Sequence, residues 1–385
     1  MVVTALGLAQ IISWGSFYYS IAVLGESMRR ELGIESSLLF GAFTFSLLVS
    51  GMAAPTVGRL IDRHGGRRVL CCGSLIGALA AGSWASAQGP ISLFFACFLC
   101  GITMAICLYE AAFITLNQLA GERYRTAITA LTLYGGLAST AFWPLSQWLL
   151  DMTGWRNTLY LYAGMQLLIC FPLHWLVLPA APPRSHVQGK QDSALPPTAS
   201  GPRYTWLAIG FAIGSFVLSV LSVHIIGLFK DAGLTPAQAV LVASLIGPMQ
   251  VLVRVLEFVF ARRAGPLAVG TASFFLMVCA TATLYFVDGY SVLPFAVAVL
   301  YGFSNGSFTI VRGIVPAALF GREGYGALLG RLARPAFVAR AMAPFAFSVT
   351  LGLGLKRTEA ILLLTACSVL AGLGYLRAIR ARPAQ

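Results

Sequence analysis

Long apolar stretches alternate with short charged ones, and this alternation constrains the fold of the chain more than any other feature. Residues 36–57 and 69–107 contain no charged side chain, whereas residues 58–68 between them hold four arginines and one aspartate. A helix of about 20 apolar residues spans the hydrocarbon core of a bilayer. The charged segment therefore marks a place where the chain leaves the membrane for water, and we expect residues 59–68 to form a cytoplasmic loop.

Composition supports an integral membrane protein. The chain is 58% hydrophobic and 10% charged, with a mean hydropathy of +0.81, which is far from the composition of a soluble domain. Its net charge of +13 would suggest nucleic acid as a partner of a soluble protein. Here the arginines lie mainly in short loops, so we exclude nucleic acid. The eight cysteines fall inside apolar runs and predict no disulfide framework.

Apolar stretches of spanning length predict an all-α protein with twelve transmembrane helices. Residues 1–28 lack a basic beginning and a small-residue cleavage site, so they read as the first span and not as a signal peptide. Residues 180–203 are polar and rich in proline, and they read as a linker between two halves, 1–179 and 204–385. The predicted spans lie near 3–27, 36–58, 69–88, 90–119, 126–150, 156–179, 204–229, 236–260, 265–287, 290–319, 325–353 and 358–379.

The distribution of lysine and arginine predicts the orientation. The loops on the side of the linker carry more than twice as many of these residues as the opposite loops. By the positive-inside rule both termini and the linker are cytoplasmic. Features that recur about 200 positions apart, such as Gly33 with Gly233 and Pro144 with Pro344, predict that the two six-helix halves are repeats.

The charged segment also resembles a known signature. Gly58-Arg59-Leu60-Ile61-Asp62-Arg63-His64-Gly65, followed by Arg67-Arg68 after one extra glycine, is similar to the loop between helices 2 and 3 of the major facilitator superfamily of transporters. The resemblance implies two pseudo-symmetric six-helix halves with a substrate site midway between them. The chemistry of these residues also predicts a conformational latch built from Gly58, Asp62, Arg63 and Arg67, in which Asp62 accepts hydrogen bonds from arginines or from the N-terminus of a neighbouring helix. A solvated charged loop without such a role is the alternative.

Ionisable side chains inside predicted spans need a functional or structural reason, because each costs at least about 2.5 kcal/mol at a helix centre. Arg340 lies near the midplane among small residues and is the leading candidate for holding an anion. Arg254 is its predicted partner, although an ion pair with Glu257, three residues away, explains it equally well. Arg312 is a further candidate for substrate binding, with snorkelling to lipid phosphates as the alternative. For Arg331 and Arg334, snorkelling is favoured over substrate binding.

Three residues are candidates for proton coupling. Glu110 is the one carboxylate well inside a span of the first half, and a static pair with a basic residue such as Arg312 is the alternative role. Glu257 and His224 are the other two. For a lone histidine on an apolar face, such as His174, a hydrogen-bonded core position is the expected role. Aromatic side chains are predicted to line the first half's cavity, namely Trp14, Tyr18, Tyr19, Tyr134 and Trp143.

Within the superfamily the chain resembles the monocarboxylate and oxalate/formate branch. Arg254 and Arg340 match that branch's basic positions in helices 8 and 11, and Ser13-Trp14-Gly15 resembles its first helix. Gln250 stands where monocarboxylate carriers have an aspartate, and Arg340 stands where the oxalate type has a lysine. The resemblance implies alternating-access transport of a small organic anion, a carboxylate, as a symporter or antiporter. The alternative is a proton-coupled exporter of drugs or other amphiphilic compounds.

No nucleotide loop, nucleophile signature or metal-ligand cluster is present in the sequence, so we expect neither an enzyme nor a cofactor. The predicted partners are an anionic small molecule, membrane lipid and protons. A monomer in the bacterial inner membrane, with both termini cytoplasmic, is the expected state.

Overall fold

The computed structural model describes residues 1–180, 201–260, 265–288, 292–352 and 354–381. These residues form helices and no strand, which confirms the predicted all-α class. The helices fall into twelve segments, one for each predicted span. They are α1 (Val2–Trp14, the π-helical turn Gly15–Tyr19, and Ser20–Leu32), α2 (Ser36–His64), α3 (Gly66–Ala85), α4 (Pro90–Cys107 and Tyr109–Leu119), α5 (Tyr124–Gly136 and 138–153), α6 (155–165, Gln166–Cys170 and Leu173–Val177), α7 (Pro202–Asp231), α8 (Pro236–Ser244 and Ile246–Phe260), α9 (Pro266–Tyr285), α10 (Leu293–Phe320), α11 (Tyr325–Gly352) and α12 (Arg357–Arg380).

Length and apolar composition alone identify nine stretches of the described residues as able to cross a membrane. One of these, Gly121–Val177, is 57 residues long and contains both α5 and α6, which Gly154 separates with a φ of 80°. Several helices begin with proline in the first turn, as α4 does at Pro90 and α9 at Pro266. Proline suits this position because its ring fixes a helical φ and the first N–H groups of a helix have no partner inside it.

The prediction of a loop at residues 59–68 is wrong. Helix α2 continues to His64, and α3 begins at Gly66, so Gly65 alone is non-helical, with a φ of 79°. Arginine is a good helix former, and the charged end of α2 needs no loop to reach water because the helix itself extends beyond the apolar run. A side chain at Gly66 would collide with Thr115 of α4, so the extra glycine allows α3 to start close to α4.

The chain divides into two compact units. The first unit is Met1–Ala194 with Gly324–Arg334, and the second unit is Leu195–Glu323 with Pro335–Gln385. The beginning of α11 therefore groups with the first unit. Most of the predicted linker, residues 180–203, lies outside the described residues, and the division into 1–179 and 204–385 stays a prediction.

Glycines with a positive φ support the predicted internal repeat. Gly33 and Gly233, Gly121 and Gly321, and Gly154 and Gly354 are three pairs, each 200 positions apart, with φ between 53° and 98°. A positive φ is costly for any residue with a side chain, so glycine at both members of each pair indicates that the same backbone turns recur in both halves. The helix contacts recur too, because α2 and α3 pack on α4 as α8 and α9 pack on α10.

An arginine contact is also repeated. In the first unit, Arg156 at the start of α6 donates from Nη1 to the carbonyl oxygen of Ala85, at the end of α3. In the second unit, Arg357 at the start of α12 donates from Nη2 to the carbonyl oxygen of Leu284, at the end of α9, at 3.2 Å. Each arginine thus donates to a carbonyl in the last turn of a neighbouring helix, where carbonyls lack the donor four residues ahead that the helix interior provides.

Large apolar side chains are distributed between buried and exposed positions as a membrane protein requires. Trp84 and Tyr162 are buried in the first unit, and Tyr301 and Tyr375 are buried in the second. In contrast, many leucines and phenylalanines are exposed, among them Leu168 at 79%. Exposure on this scale would favour aggregation in water but suits contact with lipid chains.

Candidate functional site

Arg312 and Arg340 lie close together in the second unit. The guanidinium carbon of Arg312 is 5.7 Å from the centroid of the Phe337 ring. Phe337 and Arg340 are three residues apart on α11 and therefore share a helix face. The two positive charges are near enough to repel each other. Two cations held together on apolar helices make a local site that favours an anion.

Arg254 lies at the same height in the second unit as the middle of α10. Gly302 faces the backbone of Ile246, and Gly306 faces the backbone of Gln250, so α8 and α10 run parallel with a constant offset. The same offset places Arg254 level with Ile310, next to the turn that carries Arg312. Arg254 is buried at 5% exposure, and Glu257 is half-buried one turn further along α8. Arg254 on α8 is therefore buried and level with the part of α10 that carries Arg312.

His224 is in contact with α11. Its Nε2 is 3.2 Å from the carbonyl oxygen of Pro344, and its ring centroid is 5.0 Å from that of Phe347. A carbonyl oxygen can only accept, so Nε2 is the donor of this contact in the tautomer that carries its proton there. The predicted proton-coupling residue therefore lies near the arginine site of the second unit. His174 is a buried residue whose Nδ1 is 2.9 Å from Ser74 Oγ, so its predicted role as a hydrogen-bonded core histidine is confirmed.

Glu110 follows a break in α4 that the sequence did not reveal. The predicted span 90–119 has the correct extent, but Leu108 is extended, with φ −87° and ψ −168°, and a second helix starts at Tyr109. Glu110 is in the first turn of that second helix and is 8% exposed. A helix N-terminus favours a negative charge. The break thus places the Glu110 carboxyl group at a helix N-terminus inside the span.

A missed residue, Gln10, stabilises this break. Its Nε2 donates to the carbonyl oxygen of Cys107 at 2.6 Å, and its Oε1 accepts from Trp14 Nε1 at 3.1 Å. In lipid, a carbonyl freed by a helix break must find another donor in the protein. A single glutamine in an apolar run was the available signal for such a role.

Most of the predicted aromatic residues form one cluster in the first unit. The ring of Trp14 is 5.1 Å from Tyr18 and 6.0 Å from Tyr19, and the ring of Tyr109, which the sequence analysis missed, is 5.1 Å from Trp14. Trp143 extends the cluster at 5.9 Å from Tyr19. Tyr18 and Tyr19 end the π-helical turn Gly15–Tyr19, and their ring centroids are 5.3 Å apart. Tyr134 is not among these rings, because it packs against Gly7 on α1.

Asp62 caps the N-terminus of α11. Its Oδ1 accepts from the backbone N–H of Gly326 at 3.2 Å, and its Oδ2 accepts from that of Ala327 at 2.8 Å. Asp62 is 8% exposed, and the contact lies within the first unit. A side chain at Gly58 would meet the backbone of Gly326, and one at Gly330 would meet that of Ala54. Glycine at these positions lets the two helices approach closely enough for the cap.

The contacts described for the other two predicted latch residues that carry a charge, Arg63 and Arg67, do not involve α11. The Arg67 guanidinium carbon lies 4.5 Å from the Trp175 ring centroid, so this arginine contacts α6 of its own unit. Arg63 is in the last turn of α2, where a positive charge complements the helix dipole. Neither observation assigns these arginines a role in conformational change.

An apolar groove lies elsewhere in the first unit, between α3 and α6. Leu79, Gly82, Tyr160 and Gly164 line part of it, and no charged side chain does. In a membrane such a surface fits lipid acyl chains, so we do not assign the substrate to it.

Comparisons with known proteins agree with this architecture. The structure of the human organic anion transporter MFSD10 matches with a TM-score of 0.75 and 18% identity, over 97% of this chain and 98% of that one. The E. coli fucose:proton symporter FucP matches with a TM-score of 0.75 and 13% identity, over 99% and 98%. The nucleoside transporter NupG matches with a TM-score of 0.64 and 15% identity, over 98% and 99%. No curated protein sequence matches.

The sequence itself matches a family model. Residues 6–333 fit the model of the Major Facilitator Superfamily, and this match covers most of the chain. The three similar structures are all transporters with different cargo, so their likeness bears on the fold and leaves the substrate open. The chain is a multi-pass membrane protein and belongs to the Major Facilitator Superfamily.

Proposed function

We propose that the chain is a secondary active transporter that moves a small organic anion, a carboxylate, by alternating access. The observation that carries the proposal is the proximity of Arg312 and Arg340, with buried Arg254 on the neighbouring helix. The branch proposed on the sequence is that of the monocarboxylate and oxalate/formate transporters, in which Arg254 and Arg340 occupy the basic positions.

Arginine chemistry supports a carboxylate as the cargo. A carboxylate loses its hydration when it enters a low-dielectric site, and a guanidinium offers a planar pair of donors that replaces water on both oxygens. The anion in turn offsets the repulsion between Arg312 and Arg340. Occupancy of the site would then be linked to the conformational equilibrium, because a bound anion stabilises the state that brings the arginines together.

Two further roles belong to the proposal. Glu110, Glu257 and His224 are the proposed proton-coupling groups, and Glu110 lies in the first turn of a helix inside its span. Asp62 is the proposed latch, since capping of α11 stabilises one conformation and its release permits exchange. The proposed location is the bacterial inner membrane with both termini cytoplasmic, and the proposed state is a monomer.

A second candidate function is proton-coupled export of lipophilic cations. The observation that favours it is the aromatic cluster of Trp14, Tyr18 and Tyr19 beside Tyr109, the neighbour of Glu110. Aromatic faces attract cations, and a carboxylate adds charge complementarity. This candidate predicts that tetraphenylphosphonium, and not carboxylates, protects the purified protein against heat.

The test is counterflow in proteoliposomes with radiolabelled carboxylates: formate, lactate, pyruvate, oxalate, succinate and benzoate. We expect Arg340→Ala to lower the affinity for the transported member by about 30-fold or more, because removing one partner of a charged pair costs roughly 2–5 kcal/mol. Arg340→Lys should keep part of the affinity. The matched control is Arg334→Ala, which removes an exposed arginine from the same helix.

Two outcomes would contradict the proposal. If the Arg340→Ala protein binds and transports as the parent does, Arg340 is structural. If no carboxylate of the panel exchanges while tetraphenylphosphonium does, the exporter is the better description.

A further inference from the structure

Pro344 leaves one carbonyl of α11 without its helical donor. In an α-helix the N–H of each residue bonds to the carbonyl four residues earlier, and proline has no N–H. Pro344 lies inside α11, so the carbonyl affected is that of Arg340. The residue proposed to hold the anion is thus also the one whose backbone the proline releases.

Ser219 supplies the missing donor. Its Oγ donates to the carbonyl oxygen of Arg340 at 2.8 Å, across 121 positions of sequence and within the second unit. Ser219 is 8% exposed, so water does not compete freely for this bond. A freed carbonyl in a membrane helix needs such a substitute, because lipid offers none.

The part of α7 that carries Ser219 is itself fixed. The hydroxyl of Tyr301 on α10 donates to the carbonyl oxygen of the adjacent residue, Leu218, at 3.0 Å. Further along α7, His224 contacts the carbonyl of Pro344. Helix α7 therefore contacts the segment 340–344 at its first and last residues. Ser219 connects the backbone of Arg340 to a helix that α10 holds in place.

We propose that Ser219 is a positioning residue for Arg340, acting through the main-chain carbonyl that Pro344 frees. The Ser219 hydroxyl fixes the backbone from which the guanidinium extends, and so keeps that guanidinium near Arg312. The functional consequence rests on the proposed anion transport, whereas the positioning itself does not.

The proposal is tested with phenylglyoxal, which modifies guanidinium groups. Modification of Arg340 is followed by peptide mass spectrometry on the purified full chain, with exposed Arg334 as the internal reference. Interhelical hydrogen bonds in membrane proteins contribute about 0.6 kcal/mol on average, which is roughly a threefold effect. We expect Ser219→Ala to raise the relative modification rate of Arg340 about threefold, and Ser219→Thr to restore it.

Two matched variants make the test specific. Ser222→Ala removes a neighbouring hydroxyl that bonds only the Ser219 carbonyl of its own helix in the described contacts, and it should leave the rate unchanged. Pro344→Ala restores the N–H that bonds the Arg340 carbonyl within α11, so Ser219→Ala should have no further effect in that background. The same non-additivity should appear in the thermal unfolding midpoints.

The results separate the possible failures. Equal modification rates in the Ser219→Ala and Ser222→Ala proteins would overturn the proposal, as would an undiminished effect of Ser219→Ala in the Pro344→Ala background. An Arg340→Ala protein that still transports would refute the proposed function of Arg340, but it would leave these labelling results standing.

Discussion

The cap that Asp62 places on α11 allows a quantitative prediction of how much Asp62→Asn weakens the start of this helix. Asp62→Asn removes the negative charge but keeps the size of the side chain. Two backbone N–H groups, those of Gly326 and Ala327, then face a neutral amide. One amide oxygen still accepts a hydrogen bond, while the NH2 group cannot accept the other.

The expected loss follows from these two contacts. A hydrogen bond to a charged group contributes about 1.5–3 kcal/mol, and part of this survives because asparagine keeps one acceptor. We therefore expect the cap to weaken by about 1–2 kcal/mol, or roughly 5- to 30-fold in the equilibrium for opening the first turn of α11.

Hydrogen exchange measures this equilibrium without knowledge of the substrate. In Asp62→Asn, the peptide that contains Gly326 and Ala327 should exchange roughly 5- to 30-fold faster. The matched control is Asp151→Asn, which removes the same charge from an exposed position where Oδ1 accepts from nearby Gln147. In transport, the same variant should change the exchange rate between conformations more than the affinity for cargo.

The reasoning would be refuted by one clear result. If the α11 peptide of a well-folded Asp62→Asn protein exchanges at the rate seen in the parent and in Asp151→Asn, the contact does not hold the helix end. A normal transport rate in that protein would remove Asp62 from the proposed latch.

Two further predictions concern orientation and pH. In a background without Cys72, Gln88→Cys should react with an impermeant maleimide added outside intact cells and Glu122→Cys should not; the reverse pattern would invert the proposed topology. Hydrogen bonds hold the pKa of Glu31 below its ordinary value of 4.5, the bond from Arg156 contributing most and the bond from Trp155 next. The carboxylate therefore stabilises the fold at pH values above 4.5 and loses this effect as the pH falls through the lowered pKa. Glu31→Gln should therefore lower the unfolding midpoint at pH 7, by a small amount because the pair is partly exposed, and this effect should decrease as the pH falls below 4.5. An effect that does not decrease would exclude the ion pair as the cause.

Helix number and extent could be predicted from the sequence because both follow from one physical requirement. A membrane span needs about 20 apolar residues, and the charged residues between runs mark the exits. The same logic misplaced the end of α2, since the chain can leave the bilayer while still helical. Arg59 and Arg63 extend that helix and do not terminate it.

The break in α4 could not be predicted by the same means. The break occurs at Leu108, a residue type that does not itself signal a helix break as proline or glycine would. It is stabilised by Gln10, which lies 97 positions from its partner Cys107. Such a tertiary contact leaves no periodic signal. In contrast, the freed carbonyl of Arg340 follows from Pro344 by counting four residues back, although its donor, Ser219, could not have been identified without the fold.

The cap on α11 also has a consequence for synthesis of the chain. Asp62 is separated from Gly326 by 264 positions, and ribosomes add about 5–20 residues per second, so the carboxylate is made on the order of ten to fifty seconds before its partners. During that interval the first six helices enter the membrane with Asp62 exposed to water or to nearby arginines. The nascent first half must therefore remain competent for insertion without this cap, and the contact can form only after the first turn of α11 has been made.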